Sequence, residues 1–220
     1  MCVPRLSVVV VVVATMVATM SAACGPPFLE LYEERAHQNL LVNLTADTSE
    51  LTNYGDRTKS ICGVGLWFLF EDPDYTVKSD FILDFSYGEY SCQDLDTASM
   101  DRVSSVRHAG AFDVCMDTLM LYHDKLQAGA QYLVFIDTEN LDGVFNDVTT
   151  SLAITGVSCW TIYKDAGYGG TAACICPYDY DGWSYGLYEV SDINFPNDRV
   201  SSVRKGCHSR RVLKYSPKTL

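Results

Sequence analysis

The sequence predicts an all-β protein of two duplicated sandwich domains, on the grounds of composition, strand alternation and internal repetition. The 220 residues include 14 Tyr, 15 Gly and 7 Pro, which favours many short strands joined by turns. Hydrophobic residues make up 48% of the chain, enough for a packed core. A net charge of −12 excludes the basic surface of a nucleic-acid-binding protein.

The first 23 residues have the pattern of a secretory signal peptide. Arg5 precedes an apolar run, and residues 21–23 are the small residues that signal peptidase requires. We therefore predict cleavage after Ala23 and a secreted, extracellular protein. The run from Leu6 to Ala23 is also about the minimum length of a membrane span, so a transmembrane anchor is the alternative.

Removal of the signal peptide leaves an even number of cysteines. In an oxidising compartment this predicts disulfide bonds, although the spacing alone does not define their pairing. The candidates are Cys24, Cys62, Cys92, Cys115, Cys159, Cys174, Cys176 and Cys207. Cys174 and Cys176 also have the spacing of a metal-binding pair, but no second pair at ligand spacing accompanies them, so we do not expect zinc.

The chain repeats itself at two levels. The heptapeptide Asp-Arg-Val-Ser-Ser-Val-Arg occurs at 101–107 and again at 198–204. Segments 146–151 and 197–202 share one polar pattern, and 55–60 is a degraded copy of it. Aspartates thus recur at 56, 101, 147 and 198, in units of 45 to 51 residues. Units one and three share one opening and units two and four another, which predicts two duplicated domains.

A unit of this length accommodates about four short strands, which is one Greek key. Because one key leaves half a core exposed, two keys must pair into a sandwich. The predicted organisation is a signal peptide at 1–23, domain one at 24–110 (units at about 26–62 and 66–110), domain two at 113–207 (units at about 116–156 and 159–207) and a basic tail at 208–220.

Two short motifs in these units resemble those of the βγ-crystallin superfamily. In that family each Greek key has an aromatic-x4-aromatic-x-Gly hairpin and a later Asn/Asp-Asn/Asp-x-x-Ser/Thr-Ser loop. Unit four matches both, with Tyr163, Tyr168 and Gly170 in the hairpin and with the loop at 197–202. The resemblance covers residues 26–207 and implies two βγ-crystallin-type Greek-key sandwich domains of two motifs each.

The other units depart from the pattern to different degrees. Unit three keeps the loop at 146–151 but has Gln127 at the second aromatic position. Unit two has Val77 in place of glycine. Unit one is the most degraded, with His37 in the hairpin and Lys59 in the loop. Domain two therefore carries the complete loop motifs.

The resemblance implies that paired loops bind Ca²⁺ and donate ligands to each other's site. Ca²⁺ takes about six to eight oxygen ligands. The implied ligands are the carboxylates of Asp147 and Asp198, the hydroxyls of Thr150 and Ser201, the carbonyls of Val148 and Arg199, and Asn146 and Asn197, which shape the loops. Asp101 and Ser104 are weaker candidates, because Lys59 puts an ammonium group where a hydroxyl belongs. The alternative is that the loops are only turns, which Asn, Asp and Ser also stabilise without an ion.

No pattern of a catalytic site accompanies the loops. His-Glu-x-x-His and phosphate-loop patterns are absent from the sequence, and the four histidines are expected in loops or near strand ends, exposed to solvent. We expect no catalytic residues, Ca²⁺ as the cofactor, and a secreted structural protein that is not an enzyme. The alternative is a secreted effector on the same fold, a protease inhibitor or a component of a membrane-active complex.

Three surface features complete the predictions. Asn43 begins the one N-glycosylation sequon of the chain, Asn-Leu-Thr. The aromatic segment 178–188 is either a surface for a protein or glycan partner or, as we favour, a strand with alternate aromatics packed inside. The tail at 208–220 carries four basic residues and no acid; we expect disorder there, with membrane contact as the alternative.

Overall fold

The computed structural model describes residues 24–78, 82–141, 143, 145–180 and 183–216. These residues form fourteen strands and a single 3₁₀ turn at Pro73–Tyr75, and no α-helix occurs among them. Within the same ranges no helix is long and apolar enough to cross a membrane. The all-β prediction is confirmed, whereas the predicted signal peptide lies outside the described residues.

The first half of the chain contains β1 (Phe28–Tyr32), β2 (Leu40–Leu44), β3 (Ser60–Phe70), β4 (Ile82–Asp94) and β5 (Ser105–Ala109). The second half contains β6 (Thr118–Tyr122), β7 (Gln131–Val134), β8 (Ser151–Thr155), β9 (Trp160–Asp165), β10 (Gly169–Cys176), β11 (Tyr178–Tyr180), β12 (Trp183–Glu189), β13 (Ser202–Lys205) and β14 (Val212–Lys214).

Strands of each first unit pair with strands of the unit that follows it. In the second half β12 of unit four joins the sheet β11–β12–β8–β6–β7, while β13–β9–β10–β14 form the other sheet. In return, Thr138 of unit three bridges to Val203 of unit four, and Thr48 bridges to Val106 in the first half. This exchange of strands between two Greek keys is the predicted sandwich.

In the first half the two layers are joined through the long strands β3 and β4. The beginning of β3 pairs with β1, and its end, from Leu66 onward, pairs with β5. The register between β3 and β4 shifts between Gly63 and Gly65. A side chain at Gly63 would collide with the carbonyl oxygen of Phe28, so only glycine permits this approach of β1.

Three apolar clusters make up the core. One surrounds Trp67 in the first half and one surrounds Trp160 in the second, at equivalent positions of the repeat. The third lies between the halves, where Phe68 of β3 and its neighbours meet Tyr122 of β6 and its neighbours. Strand β3 is therefore buried on both of its faces.

Arg107 is buried in the contact between the two domains. Its guanidinium carbon lies 3.9 Å from the ring centroid of Tyr75 and 5.9 Å from that of Tyr122. Its Nη1 donates a hydrogen bond of 3.3 Å to the carbonyl of Gln127. Burial lowers the pKa of this guanidinium. Arg204, its counterpart in the second heptapeptide, is instead half-exposed beside Asp137, at 3.2 Å.

The tail is ordered as far as the structure describes it. Strand β14 pairs in parallel with β10, and Ser209 donates a hydrogen bond of 3.0 Å to the carbonyl of Ala172. Arg211 donates to the carbonyls of Ile193 and Asn194. The expected disorder is therefore wrong for residues 208–216, because the edge of β10 supplies backbone partners that the sequence does not reveal.

All eight predicted cysteines form disulfides. The pairs are Cys24–Cys115, Cys62–Cys92, Cys159–Cys176 and Cys174–Cys207. The first bridge joins the beginnings of the two domains. The last bridge attaches Cys207, which directly precedes the tail, to β10, so Cys174 and Cys176 belong to two different disulfides. Their sulfur atoms lie 3.9 Å apart.

The final serine of each loop motif fastens the hairpin of its own unit. Each hydroxyl donates to a hairpin carbonyl and accepts from the backbone N–H at the second aromatic position, and all four serines are fully buried. The donated and accepted bonds are 2.6 and 3.2 Å for Ser60, 2.7 and 3.2 Å for Ser105, 2.6 and 3.0 Å for Ser151, and 2.7 and 3.1 Å for Ser202.

The residue held by each serine has a left-handed backbone. His37, Tyr75, Gln127 and Tyr168 have φ between 55° and 59°. His37 replaces the second aromatic of unit one and still contacts Tyr32 edge-on, with centroids 6.0 Å apart. The degraded hairpin therefore keeps the geometry of the complete one, in which Tyr163 and Tyr168 lie 5.6 Å apart.

We expect Ser105→Ala to lower the free energy of unfolding by about 1–3 kcal/mol, since it removes the buried hydroxyl that pairs with the N–H of Tyr75 and the carbonyl of Asp72. Urea denaturation of the disulfide-bonded protein measures this. Ser49→Ala, at an exposed position, is the control and should change the value by less than about 0.5 kcal/mol. Equal effects of the two substitutions would contradict the role of the buried serine.

His108 was expected to be exposed to solvent and is instead a mostly buried residue of β5. Its ring lies 5.1 Å from that of Trp67, and burial lowers its pKa to about 4. The unfolded chain therefore binds a proton near pH 6.5, where the folded protein does not.

Protonation of His108 should destabilise the fold as the pH falls. We expect its contribution to stability to be complete above about pH 6.5 and to decrease by about 3 kcal/mol as the pH falls towards 4. His108→Gln should remove this part of the pH dependence, measured as unfolding free energy from pH 7 to pH 4. Parallel profiles of the variant and the wild type would show that His108 does not contribute.

Candidate metal centre

The two loop motifs of domain two lie face to face and hold each other through the backbone. The N–H of Asp147 donates to the carbonyl of Val200 at 3.2 Å. In the reverse direction the N–H of Asp198 donates to the carbonyl of Thr149 at 3.3 Å. The tertiary structure thus joins two loops that are separated by about fifty residues of sequence.

The four repeated aspartates share one backbone conformation. Asp56, Asp101, Asp147 and Asp198 have φ between 51° and 57°. Aspartate and asparagine tolerate this left-handed region better than most residues with a side chain. The aspartates therefore have a structural reason to occur in the turn, in addition to any ligand role.

Side chains cross between the loops in the same reciprocal way. Thr150 Oγ1 lies 3.2 Å from Asp198 Oδ1, and Ser201 Oγ lies 3.2 Å from Asp147 Oδ1. Each carboxylate is therefore close to the hydroxyl of the opposite loop. The structure brings the four predicted side-chain ligands together as two such pairs. Their role as calcium ligands remains a prediction.

Further oxygen atoms at these loops have no hydrogen-bond donor. Asn146 Oδ1 is buried and has no partner. In the described part of the chain, no donor contacts the carbonyl oxygens of Val148 and Arg199. An unsatisfied buried acceptor costs about 1–3 kcal/mol, and a cation would relieve that cost. Asn197 is exposed and contributes no hydrogen bond among the described residues.

Basic side chains distinguish the loops of the two domains. In domain two, Arg199 Nη1 lies 3.6 Å from Asp147 Oδ2, and its side chain is 57% exposed, so it is able to move into solvent. In domain one, Lys59 occupies the position of Thr150, and its Nζ lies 3.9 Å from Asp101 Oδ2. The hydroxyl of Ser104 contacts no carboxylate among the described residues. Domain one thus lacks the crossed carboxylate and hydroxyl pairs.

Other candidate sites contain no available ligand set. Each of the three clusters of metal-ligating side chains among the described residues includes disulfide-bonded cysteines. The four sulfur atoms around Cys176 lie within 4.8 Å of one another, a proximity that the sequence did not predict. The aromatic segment forms the strands β11 and β12, in which Trp183 and Tyr188 are buried but Tyr178 is 40% exposed.

Comparison with known proteins supports the resemblance seen in the motifs. No family model matches the sequence. The chain is 24% identical over 180 residues to gamma-crystallin D of Rattus norvegicus, covering 80% of this chain and 95% of the relative. It is 23% identical over 167 residues to gamma-crystallin A of Mus musculus, covering 69% and 85%.

A solved structure shows the same fold. Geodin, a βγ-crystallin from Geodia cydonium, superposes with a TM-score of 0.61 and 16% identity, over 82% of this chain and 99% of Geodin. At this identity the structural likeness shows the fold alone. Together with the similarity in sequence to the gamma-crystallins and the four repeated hairpin and loop motifs, it leads to one conclusion. The chain is similar in sequence to the gamma-crystallins and has the βγ-crystallin fold.

Proposed function

We propose that this protein is a secreted structural βγ-crystallin that binds Ca²⁺ at the paired loops of domain two. The crossed arrangement of the loops carries the proposal. Each carboxylate lies beside the hydroxyl of the opposite loop, and Asn146 Oδ1 is left without a donor. Hard oxygen atoms of this kind suit Ca²⁺.

Two sites follow from this arrangement. Asp147 and Ser201 hold one, and Asp198 and Thr150 hold the other, with the free carbonyls of the loops nearby. A bound Ca²⁺ supplies a divalent positive charge that neutralises the carboxylates. Arg199 leaves Asp147 when that charge arrives, since two cations do not share one carboxylate without repulsion. Extracellular modules bind Ca²⁺ at about 10⁻⁴–10⁻³ M, and we expect this range.

Secretion is supported by the leader pattern and by the cysteines. Residues 1–23 have the charge, apolar run and small residues of a signal peptide. Four disulfides persist in an oxidising compartment and are rare in the cytosol. The relatives are named as crystallins, which supports a structural protein over an enzyme.

A second candidate function is a secreted effector that contacts a protein or a membrane. Phe135 and Ile136 favour it, because these adjacent apolar side chains are 51% and 65% exposed. Exposed apolar residues next to one another occur at interaction surfaces. If the effector contacts a membrane, we propose that it does so through the ordered part of the tail.

Calcium titration of the chelator-treated protein tests the first proposal. We expect saturable heat in calorimetry and a melting temperature that rises by linkage. Asp147→Asn/Asp198→Asn should abolish both effects, since asparagine keeps the left-handed turn and removes the charge. The matched control is Asp56→Asn/Asp101→Asn, which should retain them. If no heat is measured at millimolar Ca²⁺, the loops are turns that do not bind the ion.

Lys59→Thr should create calcium binding in domain one. The substitution removes the ammonium group beside Asp101 and supplies the hydroxyl that unit three has in Thr150. We expect the number of ions bound to increase by one relative to the wild type, by calorimetry and native mass spectrometry. Lys125→Thr, on an exposed hairpin, is the control and should change nothing. An unchanged number of bound ions in Lys59→Thr would show that the ammonium group is not the obstacle.

A further inference from the structure

The outer face of unit one is partly exposed to solvent, whereas the equivalent face of unit three is an interface with domain one. We call this surface the unit-one face; it consists of Phe28, Glu30, Tyr32, Asn43 and Tyr90. In unit three, Met120 of β6 pairs with Leu133 of β7, and both pack against domain one. In unit one, Glu30 of β1 pairs with Asn43 of β2 at the same place in the sheet.

Hydrogen bonds give the unit-one face a defined arrangement. The carboxylate of Glu30 accepts bonds from Tyr32 Oη at 2.8 Å, from Tyr90 Oη at 3.1 Å and from Asn43 Nδ2 at 3.4 Å. The ring of Tyr90 stacks on that of Phe28, with centroids 5.9 Å apart and planes 21° apart. Tyr90 is nevertheless 56% exposed. Phe28 and Tyr90 thus form an aromatic surface beside Asn43. The carboxylate of Glu30 connects the two, because it accepts hydrogen bonds from both Tyr90 and Asn43.

A second copy of the chain is a poor occupant for this face. Charged residues are depleted from the cores of protein interfaces, and Glu30 lies at the centre of the unit-one face. The apolar pair of Met120 and Leu133 in unit three shows what an interface at this position requires. Covering Glu30 with protein would remove its carboxylate from water.

Asn43 itself indicates a different occupant. It begins the Asn-Leu-Thr sequon, both Asn43 and Thr45 are exposed, and β2 is the edge strand of its sheet. We propose that Asn43 carries an N-linked glycan whose first sugars pack on the rings of Tyr90 and Phe28. The apolar C–H faces of a sugar ring suit an exposed aromatic ring. The glycan then covers the unit-one face. The equivalent face of unit three is covered by domain one.

The modification preserves the contacts of the unit-one face. The amide nitrogen of Asn43 forms a bond to the anomeric carbon of a lipid-diphosphate-linked oligosaccharide and loses one proton, and the lipid diphosphate leaves. The nitrogen keeps its second hydrogen, which still donates to Glu30. This inference rests on the proposed secretion, because that donor class serves the secretory pathway.

The test uses the full 220-residue chain expressed in a eukaryotic secretory host. Mass spectrometry of the peptide that contains Asn43 reports the modification. Melting temperatures of the wild type and of Thr45→Ala, which removes the sequon and keeps Asn43, report its effect on stability. The same pair is then measured with Tyr90→Ala and, as a matched control, with Tyr178→Ala, a tyrosine that is 40% exposed on β11 of the other domain.

We expect a modified Asn43 and a melting temperature raised by about 2–4 °C by the glycan. The increase should persist with Tyr178→Ala and fall to less than half with Tyr90→Ala. A secreted chain with unmodified Asn43 overturns the glycan alone, whereas a chain retained in the cell and unmodified overturns secretion as well. Calcium titration tests the loops independently of both.

Two further results would overturn the packing of the glycan on the rings. The first is an equal increase in melting temperature with and without Tyr90. The second combines two measurements: Thr45→Ala self-associates in analytical ultracentrifugation, and the melting temperatures of the wild type and Thr45→Ala differ by an amount that does not depend on Tyr90. That result would assign the unit-one face to a second copy of the chain.

Discussion

The buried serine at the end of each loop motif is the interaction on which each Greek key depends. Every hairpin turns back through a residue with positive φ, a conformation that costs about 1–2 kcal/mol for a residue with a side chain. The serine hydroxyl satisfies the backbone N–H of that residue and a carbonyl across the turn. Ser202 therefore links the loop to the hairpin, and Ser201 beside it faces the opposite loop. The hydrogen bonds of the serine therefore shape the loop and the hairpin without any bound ion.

Duplication provided two copies of each surface, and the copies now serve different purposes. The face of β3 that carries Phe68 packs against domain two. At the same place on β9, Thr161 is fully buried beneath the tail segment, donating to the carbonyl of Gly206 at 2.6 Å and accepting from the N–H of His208 at 2.9 Å. Arg107 and Arg204 diverged likewise, the first buried between domains and the second half-exposed.

Much of this architecture could be predicted from short-range patterns. The repeated heptapeptide and the alternating strands led to four Greek keys, because local turn chemistry and strand period are encoded within a few residues. The positions that were mispredicted depend on distant partners. His108 lacks an apolar signature of its own but packs on Trp67, and the tail has a disordered composition but pairs with β10. The final serine of the loops was recognised as part of a pattern, yet its partners lie in a hairpin about thirty residues earlier.

The sequence by itself determined the all-β class, the fourfold repeat, the even cysteine set and the residue types at the candidate calcium loops. These properties follow from composition, period and spacing, which require no knowledge of distant contacts. Only the tertiary structure decided which cysteines pair, which copy of each face is buried between domains, and that Thr150 faces Asp198 while Lys59 faces Asp101. The physical reason is that these outcomes depend on which strands exchange between Greek keys, and that exchange brings together residues far apart along the chain.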